Sequence, residues 1–553
     1  MNPQCSSQMS GLTRLWRPGL ILLALVLSLP VLTVTGFLLQ PAGENWLHLK
    51  QTVLPEYLAN SAWLVLGVGI GVLLVGVSTA WLTAMCRFPG KAFFSWALLL
   101  PLAMPAYIIA YTWTGMLDFA GPVQTLLREQ TGWGYGDYRF PEIRSLGGAI
   151  AMLTLVLYPY VYLLGRAAFL EQSVCVLEVS RTLGCGPFCS FFRVALPLAR
   201  PAIVAGLSLA LMETLADYGT VAYFGLPVFT TGIFRTWFGM GDSVAAARLS
   251  ALLLLLVFLL MLLERASRRQ SRYHHTTGRY SRLPEYRLRG GLRWLAFALC
   301  LLPVVLGFLL PALQLGYWAW LGGLEPLDAE FRRLVLNTLM LGAVAALLAL
   351  VLALLLGYGK RLMPTRGLRI ASRVATLGYA VPGAVIAVGV MIPLAAFDNA
   401  LDAWLRAHLG LSSGLLLSGS LFALIFAYMV RFLAVSLQTV EAGLDKIRPS
   451  MDDAARSLGY RPRASLQRVH MPLMKGSLLT ALLIVFVDVM KELPATLILR
   501  PFDFNTLAVR AFELASDERL ADSSSAALAI VAVGLLPVVY LSRSISQARA
   551  GHE

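Results

Sequence analysis

Twelve apolar stretches recur along the chain, near residues 19–39, 61–85, 93–117, 147–170, 202–225, 245–263, 294–317, 334–358, 374–396, 415–437, 477–499 and 523–542. Each is close to the roughly 20 residues that a helix needs to cross about 30 Å of hydrocarbon. The first follows Arg14 and Arg17. Its apolar run is longer than a signal-peptide core and no clean small-residue cleavage site follows, so it reads as an uncleaved first helix. The pattern predicts an all-α polytopic membrane protein of about 12 transmembrane helices.

The polar segments between the runs repeat. Glu178-Val-Ser-Arg-Thr-Leu-Gly184 continues to Val194-Ala-Leu-Pro197, and Asp453-Ala-Ala-Arg-Ser-Leu-Gly459 continues to Val469-His-Met-Pro472. The offset is 275 for acid to acid (453 − 178), Gly to Gly (459 − 184) and Pro to Pro (472 − 197). Phe229–Arg235 matches Phe504–Arg510 at the same offset, while Asn60 matches Asn337 and Pro105 matches Pro382 at 277. Two six-helix halves therefore run in the same direction. Parallel repeats of this kind place a pathway at their interface. The expected organisation is an N-terminal helix and outer loop (1–56), a first transmembrane domain (57–264), a basic linker (265–293), a seventh helix and outer loop (294–332), a second transmembrane domain (333–543) and a tail (544–553).

Composition agrees with a membrane protein: 58% of residues are hydrophobic and 14% charged, too little charge to cover a soluble protein of this size. The net charge of +15 invites a nucleic-acid reading, but its placement argues against one. Residues 265–293 carry nine Arg and one acid, Glu285; 359–373 adds Lys360, Arg361, Arg366, Arg369 and Arg373. The alternate loops carry the acids, among them Glu44, Glu56, Asp118, Glu129, Asp398, Asp402, Asp517 and Glu518. This alternation follows the positive-inside rule and places both termini in the cytoplasm. The six cysteines avoid the outer loops on this topology, so no disulfide framework is implied. Cys185 and Cys189 lack the further ligands that a metal site needs.

No Gly-x-x-x-x-Gly-Lys-Ser/Thr phosphate cradle occurs, so energy for any work comes from a partner. Each repeated loop reads as a short helix with its acid toward the N-terminal side, favourable to the helix dipole. Gly184 and Gly459 permit a tight turn, and Pro197 and Pro472 start the next membrane helix. The product is a compact knob for a partner outside the membrane; the plainer alternative is an ordinary basic loop. Within the fifth and eleventh runs, Glu213 and Asp217, and Asp488 and Glu492, are each four apart, which puts each pair on one helix face. Acids at such depth are costly and commonly mark a pathway. With Tyr218 and Tyr223 they could form a transient cation path, or a structural polar cluster in which Lys491 neutralises Asp488 or Glu492. Arg235 and Arg510 hold matched positions at the outer face and could contact acidic patches on a partner, or make loop salt bridges. Arg431, inside the tenth run, is expected to satisfy carbonyls or a carboxylate.

The repeated loops resemble the Glu-Ala-Ala loop of importer-type ABC permeases: acid-Ala-Ala, three residues, Gly, nine residues, an aliphatic, any residue, Leu-Pro. The first copy matches at Glu178, Gly184, Val194, Leu196 and Pro197 but has Val179-Ser180 for Ala-Ala. The second matches at Asp453, Ala454, Ala455, Gly459, Val469 and Pro472 but has Met471 for Leu. Glu213–Gly225, Phe229–Phe238 and Lys491–Pro501 are similar to the ferric-iron branch, in which one chain carries two fused permease halves. The resemblance implies a type I ABC importer permease fold in the bacterial inner membrane, working by alternating access. It implies an ABC ATPase homodimer on the cytoplasmic side and a periplasmic substrate-binding protein on the other, with ATP and Mg in the ATPase. It implies no cofactor, no catalysis, no permanently bound metal and no nucleic acid for this chain. Thiamine, phosphonate and polyamine permeases share these loops and are alternative cargo classes; a proton-coupled secondary transporter using Asp217 and Glu492 is a different class.

Overall fold

The computed structural model describes residues 3–41, 43–134, 136–170, 172, 186–269, 286–322, 328–363 and 365–550. Among the described residues, ten helices are long and apolar enough to span a membrane, and twelve if each of two bent pairs counts as one span. The bent pairs are Lys91–Ala103 with Ala106–Thr131, at 91°, and Pro462–Leu473 with Lys475–Met490, at 81°. Among the described residues the one sheet is a two-residue parallel pairing of Cys86–Arg87 with Tyr286–Arg287. The protein is thus an all-α polytopic membrane protein.

The internal repeat is visible in backbone detail. The helices Leu146–Leu170 and Leu421–Asp445 correspond at an offset of 275. A single 3-10 turn precedes each of the matched prolines, at Leu100–Ala103 and Leu377–Ala380. Pro105 and Pro382 then cap the next helices with nearly the same backbone angles, φ −57 ψ 141 and φ −55 ψ 142. A π-helical turn spans Phe191–Ala195 in one half and Leu466–His470 in the other. The cause is in the sequence. Pro197 and Pro472 each follow the π turn by two residues and have no N–H, and a proline ring collides with the carbonyl four residues back. The helix widens by one residue to avoid it. Asn60 and Asn337 also act alike: Asn60 Nδ2 donates to the Pro227 carbonyl at 3.1 Å, and Asn337 Nδ2 to the Asn505 carbonyl at 3.3 Å.

The compact units cut across the sequence halves. One comprises Met1–Asn45, Ile233–Leu252 and Leu327–Val509; the other comprises Trp46–Gly232, Leu253–Pro326 and Arg510–Glu553. Each takes its core from one half and edge helices from the other. In the first unit, Pro3–Gly36 packs on Gly383–Leu409 and Arg366–Ala375. Gly389 makes room for the Pro30 backbone there, and Gly359 for Leu20. In the second unit, Leu310–Leu321 packs on Leu520–Ala550, and Trp113 Nε1 donates to the Leu306 carbonyl at 3.1 Å.

Small residues set the close helix pairings. Gly67, Gly71 and Gly76 of Leu54–Met85 face Ile150, Thr154 and Val161. Buried Ala345, Ala349, Ala353 and Gly357 form a four-residue ladder on Ala329–Leu362. Between membrane helices dispersion and close backbone approach replace the hydrophobic effect, so such ladders are what brings helices together. Cys189 is disulfide-bonded, although the cysteine pattern implied no disulfide framework. Cys86 and Cys300 are buried free thiols.

Candidate functional site

The second repeated loop forms a helix at Pro449–Ser457, a turn at Gly459 and a short helix from Pro462. Gly459 has φ +78, as the turn requires. Its N–H donates to the Arg456 carbonyl and the Tyr460 N–H to the Ala455 carbonyl, both at 3.0 Å, closing the helix in a glycine C-cap. Ala455 is buried, whereas Leu458 is 75% exposed at the tip and Met451 is exposed beside it. Ala454 lies in the same turn and its carbonyl accepts from Leu458 N at 3.1 Å. Asp453 does not cap the helix as expected. Pro449 presets the first turn, so the helix begins before the motif acid, and Asp453 pairs with Arg456 at 3.0 Å on the exposed face. Pro472 sits in a short helix, Met471–Leu473, and the chain turns into the next span at Met474 rather than at the proline. In the first copy, Glu178 and Gly184 lie outside the described residues, while Pro197 occupies the first turn of Leu196–Ala216.

The neighbouring acid, Asp452, anchors this loop. Its Oδ2 accepts from Arg361 Nε at 2.9 Å and Nη2 at 2.8 Å. Its Oδ1 lies 2.6 Å from His470 Nε2. Burial raises this carboxyl, and the hydrogen bonds and charges of Arg361 and His470 more than offset that, holding it below the ordinary carboxylate range. Neither Arg361, Asp452 nor His470 was singled out by motif spacing; the signal available was a second acid beside the motif acid and a histidine two residues before Pro472.

The intramembrane acids are not arranged as two helix-face pairs. The fifth span ends at Ala216, and a short helix, Gly219–Tyr223, follows. Asp217 sits at the break, where its Oδ1 accepts from Thr220 N at 3.1 Å and Val221 N at 3.2 Å. Tyr218 directly precedes the short helix and its ring packs 5.8 Å from Phe512. Glu213 stays half-buried one turn back. The eleventh span ends at Met490, and Pro494–Leu499 follows. Glu492 Oε1 accepts from Ala495 N at 3.2 Å and Oε2 from Thr496 N at 3.1 Å. The acids break the apolar runs because each satisfies the free amides at the start of the next short helix.

Comparison with known proteins identifies the architecture. The family model described as binding-protein-dependent transport system inner membrane component matches twice, at residues 72–272 and 349–551. The chain belongs to that family. It is 27% identical over 492 residues to the Fe(3+)-transport system permease protein FbpB 2 of Haemophilus influenzae, covering 88% of this chain and 90% of that protein. It is 24% identical over 474 residues to the ferric transport system permease protein FbpB of Actinobacillus pleuropneumoniae, covering 82% and 65%. The molybdenum transport system permease protein ModB of Escherichia coli is 30% identical over 149 residues, covering 27% of this chain and 62% of ModB. The chain is therefore a multi-pass inner-membrane transport component.

Within this permease the acids differ in partner. Asp488 pairs with Lys491 at 2.9 Å, and Glu492 pairs with Arg431 at 3.1 Å. Among the described residues no cation contacts the Asp217 carboxylate; its Oδ2 accepts instead from Thr220 Oγ1 at 3.1 Å. Arg235 is exposed at the end of Phe229–Phe234, and Arg510 is half-buried in Leu507–Ser516. They belong to different compact units.

Proposed function

We propose that this chain is the permease of an ATP-driven importer of ferric iron, passing the ion from a periplasmic binding protein to the cytoplasm by alternating access. The supporting observation is the extent of similarity: ferric permeases match over most of the chain, whereas the molybdenum permease matches 27% of it and a putative 2-aminoethylphosphonate permease of Salmonella typhimurium 38%. An ABC ATPase homodimer docks on the knob formed by Asp453, Ala454, Ala455 and Gly459, with exposed Leu458 at its tip, and on the first loop at Glu178, Gly184 and Pro197. ATP and Mg²⁺ belong to the ATPase, and this chain carries no cofactor. Both termini lie in the cytoplasm. Arg235 and Arg510 face the binding protein. Ferric iron is a hard cation that prefers oxygen donors, and Asp217 offers a carboxylate that no cation contacts among the described residues.

The test is uptake of radiolabelled ferric iron by cells with and without the chain, repeated with Gly459→Val. An added Cβ meets nothing within 4 Å, so the main cost is the left-handed backbone, about 1–2 kcal/mol or more for a β-branched residue. Uptake should require the chain and fall severalfold in the variant at equal membrane abundance. Uptake indifferent to the chain would remove iron as the cargo and favour a phosphonate.

A further inference from the structure

The second coupling loop is fastened by side chains whose aligned positions in the first half hold apolar residues. Arg361 closes the helix Ala329–Leu362. Besides gripping Asp452, its guanidinium donates to the Leu444 and Ile447 carbonyls, which end the Leu421–Asp445 helix. His470 is fully buried in the π turn leading toward Lys475–Met490. Its Nε2 meets Asp452, and its Nδ1 lies 3.0 Å from the Ser465 carbonyl. Tyr358 completes the cluster: its Oη donates to the Pro462 carbonyl at 2.9 Å, and its ring lies 5.3 Å from His470. One carboxylate on the loop helix is thus held by Arg361 and His470, and Arg361 ties it in turn to the end of Leu421–Asp445.

The repeat shows what the first half has instead. Subtracting 277 from Arg361 gives Ala84; subtracting 275 from Asp452 and His470 gives Leu177 and Ala195. None can carry a charge or a side-chain hydrogen bond. The exposed acid of the motif, Asp453, bonds Arg456 within its own helix, so the fastening of the second loop runs through Asp452 instead. Two arginine N–H groups converge on Oδ2 while His470 holds Oδ1, so the carboxylate resists rotation as well as separation, which is the property a transmitting joint needs.

We infer that Arg361, Asp452 and His470 are positioning residues that stiffen the second loop as a transmitter of ATPase movement. This rests on the importer reading. The test is the assembled complex of chain, ATPase and binding protein in proteoliposomes, with ATP hydrolysis measured basally and with ferric-loaded binding protein, alongside entry of radiolabelled iron. In Arg361→Met and Asp452→Asn, basal hydrolysis should stay within about twofold, while iron moved per ATP and stimulation by the binding protein fall about fivefold or more. Arg361→Lys keeps the cation and loses the fork; it should assemble and show an intermediate loss, and it decides the matter if the other variants do not assemble. Hydrolysis and transport falling in proportion, or wild-type stimulation in Arg361→Lys, overturns the proposal. If the wild-type complex hydrolyses ATP but moves no iron, the cargo reading fails, and the joint is judged on the stimulation ratio alone.

Discussion

The breaks after the fifth and eleventh spans are built to one plan and charged differently. Asp217 binds the amides of residues 220 and 221; Glu492 binds those of 495 and 496, the same positions at an offset of 275. The short helices they cap start at Gly219 and Pro494, again 275 apart. Yet Glu492 is 5% exposed and paired to Arg431, whereas among the described residues no cation contacts the Asp217 carboxylate. The position matching Arg431 is Val156, buried in the Leu146–Leu170 helix. Gly383 makes the pair possible, since an added Cβ there would collide with Arg431 Nη1 and Glu492 Oε1; its counterpart is Ala106. Capping is thus the shared role of the two acids, and neutralisation belongs to the second half. Among the described residues, then, Glu492 carries a cap and an ion pair, and Asp217 a cap alone.

The sharpest way to break this comparison is to remove the cation. Arg431→Met should leave Glu492 buried and uncompensated, a loss of about 3–5 kcal/mol. Detergent-solubilised protein should aggregate at a markedly lower temperature. Adding Glu492→Gln should restore much of that loss, because an amide still accepts a cap hydrogen bond and no charge is stranded. An Arg431→Met protein as stable as wild type would mean that the ion pair is not what holds the second break. The matching change in the first half, Val156→Met, strands no charge and should cost less, about 1–3 kcal/mol from overpacking alone.

Much of this was legible in the sequence, and what was not has a physical cause. The number and order of spans followed from hydropathy, because the bilayer sets a minimum apolar length. The repeat followed from spacing. The breaks at Asp217 and Glu492 were missed, since Leu215 to Phe224 and Leu493 to Leu499 remain apolar on either side of a lost backbone ladder. Hydropathy measures transfer, not hydrogen bonding. The cue in the second half was Pro494, two residues after an acid, which marks a helix start. The exchange of edge helices between compact units was not legible, because it depends on which apolar faces meet, and lipid-facing and helix-facing residues look alike in composition. Asp452 was overlooked for a simpler reason: the motif's acid position pointed to Asp453, whose side chain is exposed.

Neutralising Asp217 sharpens the comparison from the other side. Asn caps a helix about as well as Asp, and Asp217→Asn retains an oxygen for the Thr220 and Val221 amides. Stability should change by less than about 1 kcal/mol. Iron uptake should fall about tenfold, equivalent to about 1.4 kcal/mol, because the carboxylate charge is gone. Normal uptake with normal assembly would reduce Asp217 to a cap and remove the cation path from this half.

The smallest expected difference lies in the two threonines beside the caps. Thr220 Oγ1 meets the Asp217 carboxylate alone. Thr496 Oγ1 contacts the Glu492 carboxylate at 3.0 Å and its carbonyl at 2.8 Å, and lies 2.6 Å from the hydroxyl of buried Tyr428. Replacing either with valine preserves shape and deletes the hydroxyl. Thr220→Val should lose about 0.5–1.5 kcal/mol, the value of an ordinary hydrogen bond. Thr496→Val should lose about 1–3 kcal/mol, because it strands the Tyr428 hydroxyl where water cannot reach it. Thermal aggregation midpoints of the two variants, measured in one detergent, would show the second break to be the more deeply built. Equal midpoints would mean that the extra bonds around Glu492 add nothing, and that Arg431 alone separates the two halves.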